Sequence, residues 1–250
     1  MLTRDGGPLI YMYNGLRHHV DITHVVVEKG TDKKTFLKNR IKRLGYIKVS
    51  GQILFQLIVP KLLVMFSTKR IADIIRHYNL DNTPIPDEFK VRVDSVNSEA
   101  CIAFLQEEAP ALVIVNGTRI ISKKVLESVN AVFLNTHGGI TPKYRGVFGG
   151  YWAVANRDKD NFGVTVHLVD KGIDTGGIIL QKIIPFTSKD NIATYPYLMG
   201  GEGIRLMGQA IASFMSENLE TQNAQTKQSN LYHTLTLRNC LYRRIRFGAK

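Results

Sequence analysis

Cysteine is scarce in this chain: Cys101 and Cys240 are the only two among 250 residues. They form no CxxC pair and match no metal-ligand spacing, so a disulfide framework and a zinc ribbon are excluded, and both read as free thiols of a reducing compartment. Nucleotide fingerprints are missing as well. Gly146-Val147-Phe148-Gly149-Gly150 lacks both the spacing and the strand-turn-helix setting of G-x-G-x-x-G, and no phosphate-cradling loop ending in Gly-Lys-Ser/Thr occurs; a dinucleotide-dependent redox enzyme or an ATP-driven one is disfavoured. No internal repeat or sustained low-complexity tract appears. The first seven residues are polar and show no charged-then-apolar order, so no secretory leader is read there and a cytoplasmic location is expected. Long hydrophobic runs are absent too: the most apolar stretch, 53–64, contains Gln56, Pro60 and Lys61 and falls short of the roughly 20 residues that span a bilayer. A buried helix is expected there, in preference to one resting on a membrane beside the basic 29–48 region.

What is present is ordinary in bulk: 44% hydrophobic and 9% aromatic residues suit one sizeable globular domain. The formal charge is +12, with Lys and Arg concentrated in 29–48 and again at Arg238, Arg243, Arg244, Arg246 and Lys250, where no acid intervenes. Neither patch carries the aromatic and glycine interleaving of an RNA-binding module, so specific nucleic-acid binding is not expected. Periodicity gives an α/β order. Residues 1–3 read as the tail of a first strand, 9–16 as a helix and 22–28 as a second strand. Helices follow over 33–44 and 67–78, with the 53–64 piece between them interrupted at Pro60. A strand at 89–96, a helix from the Ser98 cap to 108, a buried strand at 111–115 and a helix at 122–127 continue the alternation. Then come a helix at 148–155 with Trp152 inside, strands at 163–169 and 177–184, a broken helix at 192–196, a cleaner helix at 204–214, a polar surface loop or partly extended arm over 218–229 and a short basic helix or docking tail over 231–248.

The chemistry concentrates in Asn135-Thr136-His137-Gly138-Gly139-Ile140-Thr141-Pro142-Lys143-Tyr144-Arg145-Gly146, answered by Gly163-Val164-Thr165-Val166-His167 and by Gly172-Ile173-Asp174-Thr175-Gly176-Gly177. The first stretch follows the apolar run 131–134, so Asn135 and His137 leave the carboxyl end of a buried strand on the same side. An amide donor, an imidazole and a carboxylate suit acyl transfer, in which an oxyanion must be stabilised and an amine proton managed. Each residue also has a plainer reading: Asn135 as a turn cap, His137 bonded to local backbone, Asp174 in an Asp-Thr-Gly turn, His167 as a satisfied structural histidine.

Taken together, the four elements resemble the folate-dependent formyltransferases, which act on glycinamide ribonucleotide, methionyl-tRNA or sugar nucleotides; the likeness runs roughly from 111 to 181. The resemblance implies a Rossmann-like, mostly parallel sheet with helices on both faces, a catalytic domain over 1–218 and a basic tail over 219–250 available for a homodimer contact. It implies N10-formyltetrahydrofolate as formyl donor and no metal. Asn135, His137 (as imidazolium) and Asp174 become the catalytic candidates, with His167 supporting. Gly117, Arg119, Ile120, Ile121 and Asp170 become candidates for holding the folate, and Tyr144, Arg145, Gly138 and Gly139 for holding the second substrate. Gly138-Gly139-Ile140-Thr141 stands where purine and methionyl-tRNA enzymes carry Pro-Ser or Ala-Ser, and a Gly-rich version is similar to enzymes acting on nucleotide-linked amino sugars, such as a GDP- or dTDP-linked 4-amino-4,6-dideoxy sugar for O-antigen synthesis. The remaining length leaves no room for the C-terminal barrel of the tRNA enzymes, so a tRNA substrate is not expected. The alternatives are a purine-pathway phosphoribosylglycinamide formyltransferase and a non-enzymatic nucleotide- or RNA-binding relative.

Overall fold

The computed structural model describes residues 1–4, 6–30 and 32–247. Seven strands make the main sheet: β1 (Leu2–Arg4), β2 (Val25–Glu28), β3 (Lys90–Val93), β4 (Leu112–Asn116), β5 (Val132–His137), β7 (Gly163–Leu168) and β8 (Ile178–Ile183). They run in the order β3-β2-β1-β4-β5-β7-β8. The first five are mutually parallel, and β7 and β8 add antiparallel. Strand alternation divides the apolar side chains between two cores. Val25, Val27, Ile114, Leu134, Val164 and Val166 face the larger core under helices α1 (Gly7–Leu16), α3 (Tyr46–Tyr78), α6 (Gly149–Ala155) and α7 (Tyr195–Met215), with α2 (Lys33–Leu44) lying against α3. Val26, Val113, Val115 and Phe133 face the smaller one, under α4 (Glu99–Glu108) and α5 (Lys123–Leu126). Ser98 and Ser122 cap these last two helices by accepting from the amides of Cys101 and Val125. Helices on both faces of a mostly parallel sheet match the expected class.

Three expectations are corrected. The 53–64 piece is no separate buried helix, because α3 runs unbroken from 46 to 78 with Pro60 inside it, and most of its large apolar side chains face outward. The 192–196 segment is no broken helix: Pro196 occupies the first turn of α7, where its missing N–H costs nothing, and α7 continues through Gly200, Gly201 and Gly203. Gly203 lets α7 press on β5, since a Cβ there would meet Thr136 Cγ2 at 2.6 Å.

Residues 219–247 are not an appended tail either. Gln222 bridges to Ile178, and β9 (Leu231–Tyr232) pairs in parallel with β6 (Arg145–Gly146). Leu235 is fully buried in the larger core, and Cys240 on α8 (Leu237–Phe247) is buried as well. The last part of the proposed tail, 248–250, lies outside the described residues.

Candidate active site

β5 is the strand at which the sheet changes from parallel to antiparallel, with β4 on one side and β7 on the other. Alternation turns Asn135 and His137 to one face, and the register sets Asn135 opposite His167 and His137 opposite Thr165. Asn135 Nδ2 lies 3.1 Å from His167 Nε2. The other ring nitrogen, Nδ1, lies 2.7 Å from the Leu168 carbonyl, which can only accept. A neutral His167 with its proton on Nδ1 can accept at Nε2 from the Asn135 amide. Among the described residues the second N–H of that amide has no partner.

Asp174 comes in from the loop between β7 and β8. Its backbone is left-handed (φ 50°), a conformation that Asp tolerates better than most residues. Long-range contacts hold it there: the Gly146 N–H donates to Oδ2 at 2.8 Å, and Arg145 Nη1 donates to the Ile173 carbonyl at 2.9 Å. Asp170 staples the same loop by accepting from the Gly172 amide and the Thr175 hydroxyl. So placed, the carboxylate lies between two imidazoles, with Oδ2 3.4 Å from His137 Nδ1 and Oδ1 3.6 Å from His167 Nε2. His137 Nε2 in turn lies 2.7 Å from the Tyr144 carbonyl.

Burial dominates the electrostatics of His137. It pushes the pKa below the ordinary 6.5, outweighing the upward pull of Asp174 and the Tyr144 carbonyl. Burial thus favours the neutral ring, whose proton would sit on Nε2 facing the carbonyl. Burial therefore opposes the expected imidazolium, while the two acceptors flanking the ring favour it. For Asp174, burial acts upward, but His167, His137 and the Gly146 N–H outweigh it and hold the carboxyl below 3.8. It is ionised at neutral pH.

Other candidates fall elsewhere. Tyr144 is buried, its hydroxyl donates to Asp158, and its ring stacks on Tyr232, so its side chain is withdrawn from any substrate. Gly139 is buried against backbone: an added Cβ would meet the Tyr144 carbonyl at 2.5 Å and His137 Nε2 at 2.8 Å, which makes it a packing requirement. Gly138 is half-buried beside Met199. Arg119 is committed elsewhere, its guanidinium clamped on the fully buried Glu28 and on the Lys29 carbonyl. Ile121 lies in the smaller core. Gly117, in a left-handed turn (φ 69°) with open space around it, and the exposed Ile120 remain at the carboxyl end of β4, beside β5. Arg145 keeps a buried Nε with no partner among the described residues.

Thr165 was legible only as part of a motif, yet its buried hydroxyl donates to the Gly139 carbonyl and accepts from the Thr141 amide and Gln181. It fixes the turn after His137.

The formyl transferase family model matches residues 57–199. A methionyl-tRNA formyltransferase of Methylacidiphilum infernorum is 38% identical over 119 residues, 47% of this chain, which spans only 37% of that relative's length. Among solved structures, a sugar N-formyltransferase from Shewanella sp. superposes over 92% of this chain and 74% of its own, with TM-score 0.58 and 18% identity. Glycinamide ribonucleotide transformylase 1 from Symbiobacterium toebii covers 89% and 90% with TM-score 0.57 and 20% identity. An N-formyltransferase from Helicobacter canadensis, in complex with folinic acid and dTDP-3-aminofucose, covers 92% and 69% with TM-score 0.52 and 18% identity. With more than half of its length matched by the family model and the fold shared with these structures, the chain belongs to the folate-dependent formyl transferase family.

Proposed function

We propose that this protein is an enzyme that moves the formyl group of N10-formyltetrahydrofolate to the amine of a nucleotide-linked amino sugar. The observation that carries formyl transfer is the cluster at the end of β5: a spare Asn135 N–H, a buried His137 with Nδ1 turned to Asp174, and the Asp174 carboxylate held between two imidazoles. The bound folate supplies an electrophilic formyl carbon. Asn135 donates to the formyl oxygen as negative charge grows on it, an interaction typically worth about 3 kcal/mol. His137 Nδ1 takes the proton that the attacking amine loses, Asp174 stabilises the imidazolium so formed, and the ring returns the proton to the departing nitrogen. The turn at Gly117 offers backbone groups beside the apolar Ile120, which suits a flat heterocycle, and Asp170 shapes the loop opposite.

The amino-sugar substrate is supported by the fold neighbours named as sugar N-formyltransferases and by the complex of one of them with a dTDP-linked amino sugar. The unpartnered Arg145 Nε is a donor suited to an anionic group of such a substrate. The sequence relatives carry a different name, methionyl-tRNA formyltransferase, and that substrate is the second reading. An assay with N10-formyltetrahydrofolate against GDP- and dTDP-linked amino sugars, glycinamide ribonucleotide and methionyl-tRNA separates them. Turnover of an amino sugar is expected; turnover of only the ribonucleotide or the tRNA would move the enzyme to purine synthesis or to translation, and no turnover with any acceptor would sink formyl transfer. The two buried free thiols, Cys101 and Cys240, accord with a cytoplasmic reaction.

A further inference from the structure

Helix α3 has 33 residues, a length of about 50 Å, and is packed on one side only. On its inner side Phe55 is buried against Phe148, Gln52 donates to the Thr234 carbonyl, and Arg70 forms a bidentate pair with Asp190. On its outer side Ile47, Leu54, Ile58 and Met65 recur at helical spacing, with Leu62 and Phe66 widening the strip; Ile47 is 92% exposed and Phe66 80%. Helix α8 lies alongside, where Leu241 and Tyr242 share an open groove with Ile47 and Leu54, and Ile245 is 86% exposed. A contiguous apolar surface of this extent marks an interaction site.

Its charge says with what. Residues 33–72 contain ten Lys and Arg and no acid, and residues 221–250 contain six and no acid; the other 17 Lys and Arg stand against all 21 Asp and Glu. Taken together, the rest of the chain is therefore net negative, and the positive excess lies in the two segments that carry and flank the apolar strip. Lys42, Lys48, Lys61, Lys69, Arg238 and Arg244 are exposed there, and none has an ion-pair partner among the described residues. We propose that this face docks the protein on an anionic lipid surface. The strip enters the boundary between headgroups and acyl chains, and the basic rim meets the lipid phosphates. The length and composition of α3 would also suit a membrane crossing. Phe55, Gln52 and Arg70 tie it to the body of the fold, so it lies along the surface. Packing of a second copy on the same face would set these positive charges against their like.

Co-sedimentation of the purified chain with vesicles tests this without reference to catalysis. Binding to phosphatidylcholine vesicles that contain phosphatidylglycerol is expected, with release by added salt and little binding to phosphatidylcholine alone. Ile47→Ser with Phe66→Ser should abolish it. Lys48→Gln and Lys61→Gln, both at exposed positions that leave the fold untouched, should each weaken it about fivefold. Failure to bind either vesicle, or equal and salt-insensitive binding to both, overturns the proposal. So does a concentration-dependent dimer in sedimentation velocity that the Ile47→Ser, Phe66→Ser variant dissociates, which would assign the face to a second copy.

Discussion

Asn135 has one amide hydrogen engaged by His167 Nε2, and that bond fixes the direction of the other. Asn135→Ala removes the donor from the proposed oxyanion position, and kcat should fall about 100-fold at saturating folate with little change in melting temperature. A rate within about threefold of the parent would remove Asn135 from the chemistry. The neutral His137 sets the pH dependence. Burial holds its pKa below 6.5, and the neutral ring is the active form, so kcat/KM should rise with pH through that lowered pKa and stay flat above 6.5. A rate that instead falls as pH is raised through neutrality would mean an imidazolium donor. Stability moves in the same direction. The unfolded chain protonates His137 more readily than the folded one does, so stability is lost as pH falls below 6.5, and the depressed Asp174 adds a further loss as pH falls from 3.8 through its own folded pKa.

At the scale of elements, the strands were legible because β-branched and apolar runs alternate over two buried faces, and Ser98 announced its helix by cap chemistry. α3 was misread for two physical reasons. A proline in mid-helix costs about 3 kcal/mol, but here the helix packs on α7 and α8 along both flanks of Pro60 and passes through it. An apolar run also carries no mark of the side that faces solvent, so its outward strip could not be read from the sequence. The residue types of the site were legible, but its assembly was not: Asp174 reaches His137 because Gly146 and Arg145 hold its loop from 28 residues away, and Arg119, read as a folate contact, is taken by Glu28 across the sheet. α3 is anchored by Arg70 on Asp190, a fully buried carboxylate that also accepts from the Thr187 amide and hydroxyl. Asp190→Ala leaves that cation and those donors unpaired and should cost about 3 kcal/mol, a fall of roughly 6–12 °C in thermal denaturation. A change below about 2 °C would show that the pair is screened by solvent and anchors nothing.

In the whole molecule, the segment after residue 218 is a structural support of the site. Tyr232 lies between Tyr144 and Trp152, stacked at centroid distances of 5.4 and 5.0 Å, and Arg243 covers the other ring at 4.8 Å. The β6–β9 pair holds Arg145 and Gly146, which in turn hold Asp174, so order is passed from the end of the chain to the carboxylate by backbone pairing. Leu235 joins this segment to the larger core, with its side chain wholly out of solvent among residues from the sheet and helices. Leu235→Ala should therefore cost about 2–5 kcal/mol, as cavity-forming core substitutions do, and lower a single cooperative transition by about 5–15 °C. The same variant should lose formyl transfer in step with the fraction unfolded, because β9 braces the Arg145–Gly146 backbone that holds Asp174. Differential scanning calorimetry decides this: one shifted peak means a single cooperative unit, whereas a small early peak followed by the parental one would mean that the segment melts on its own and that the site stands without it.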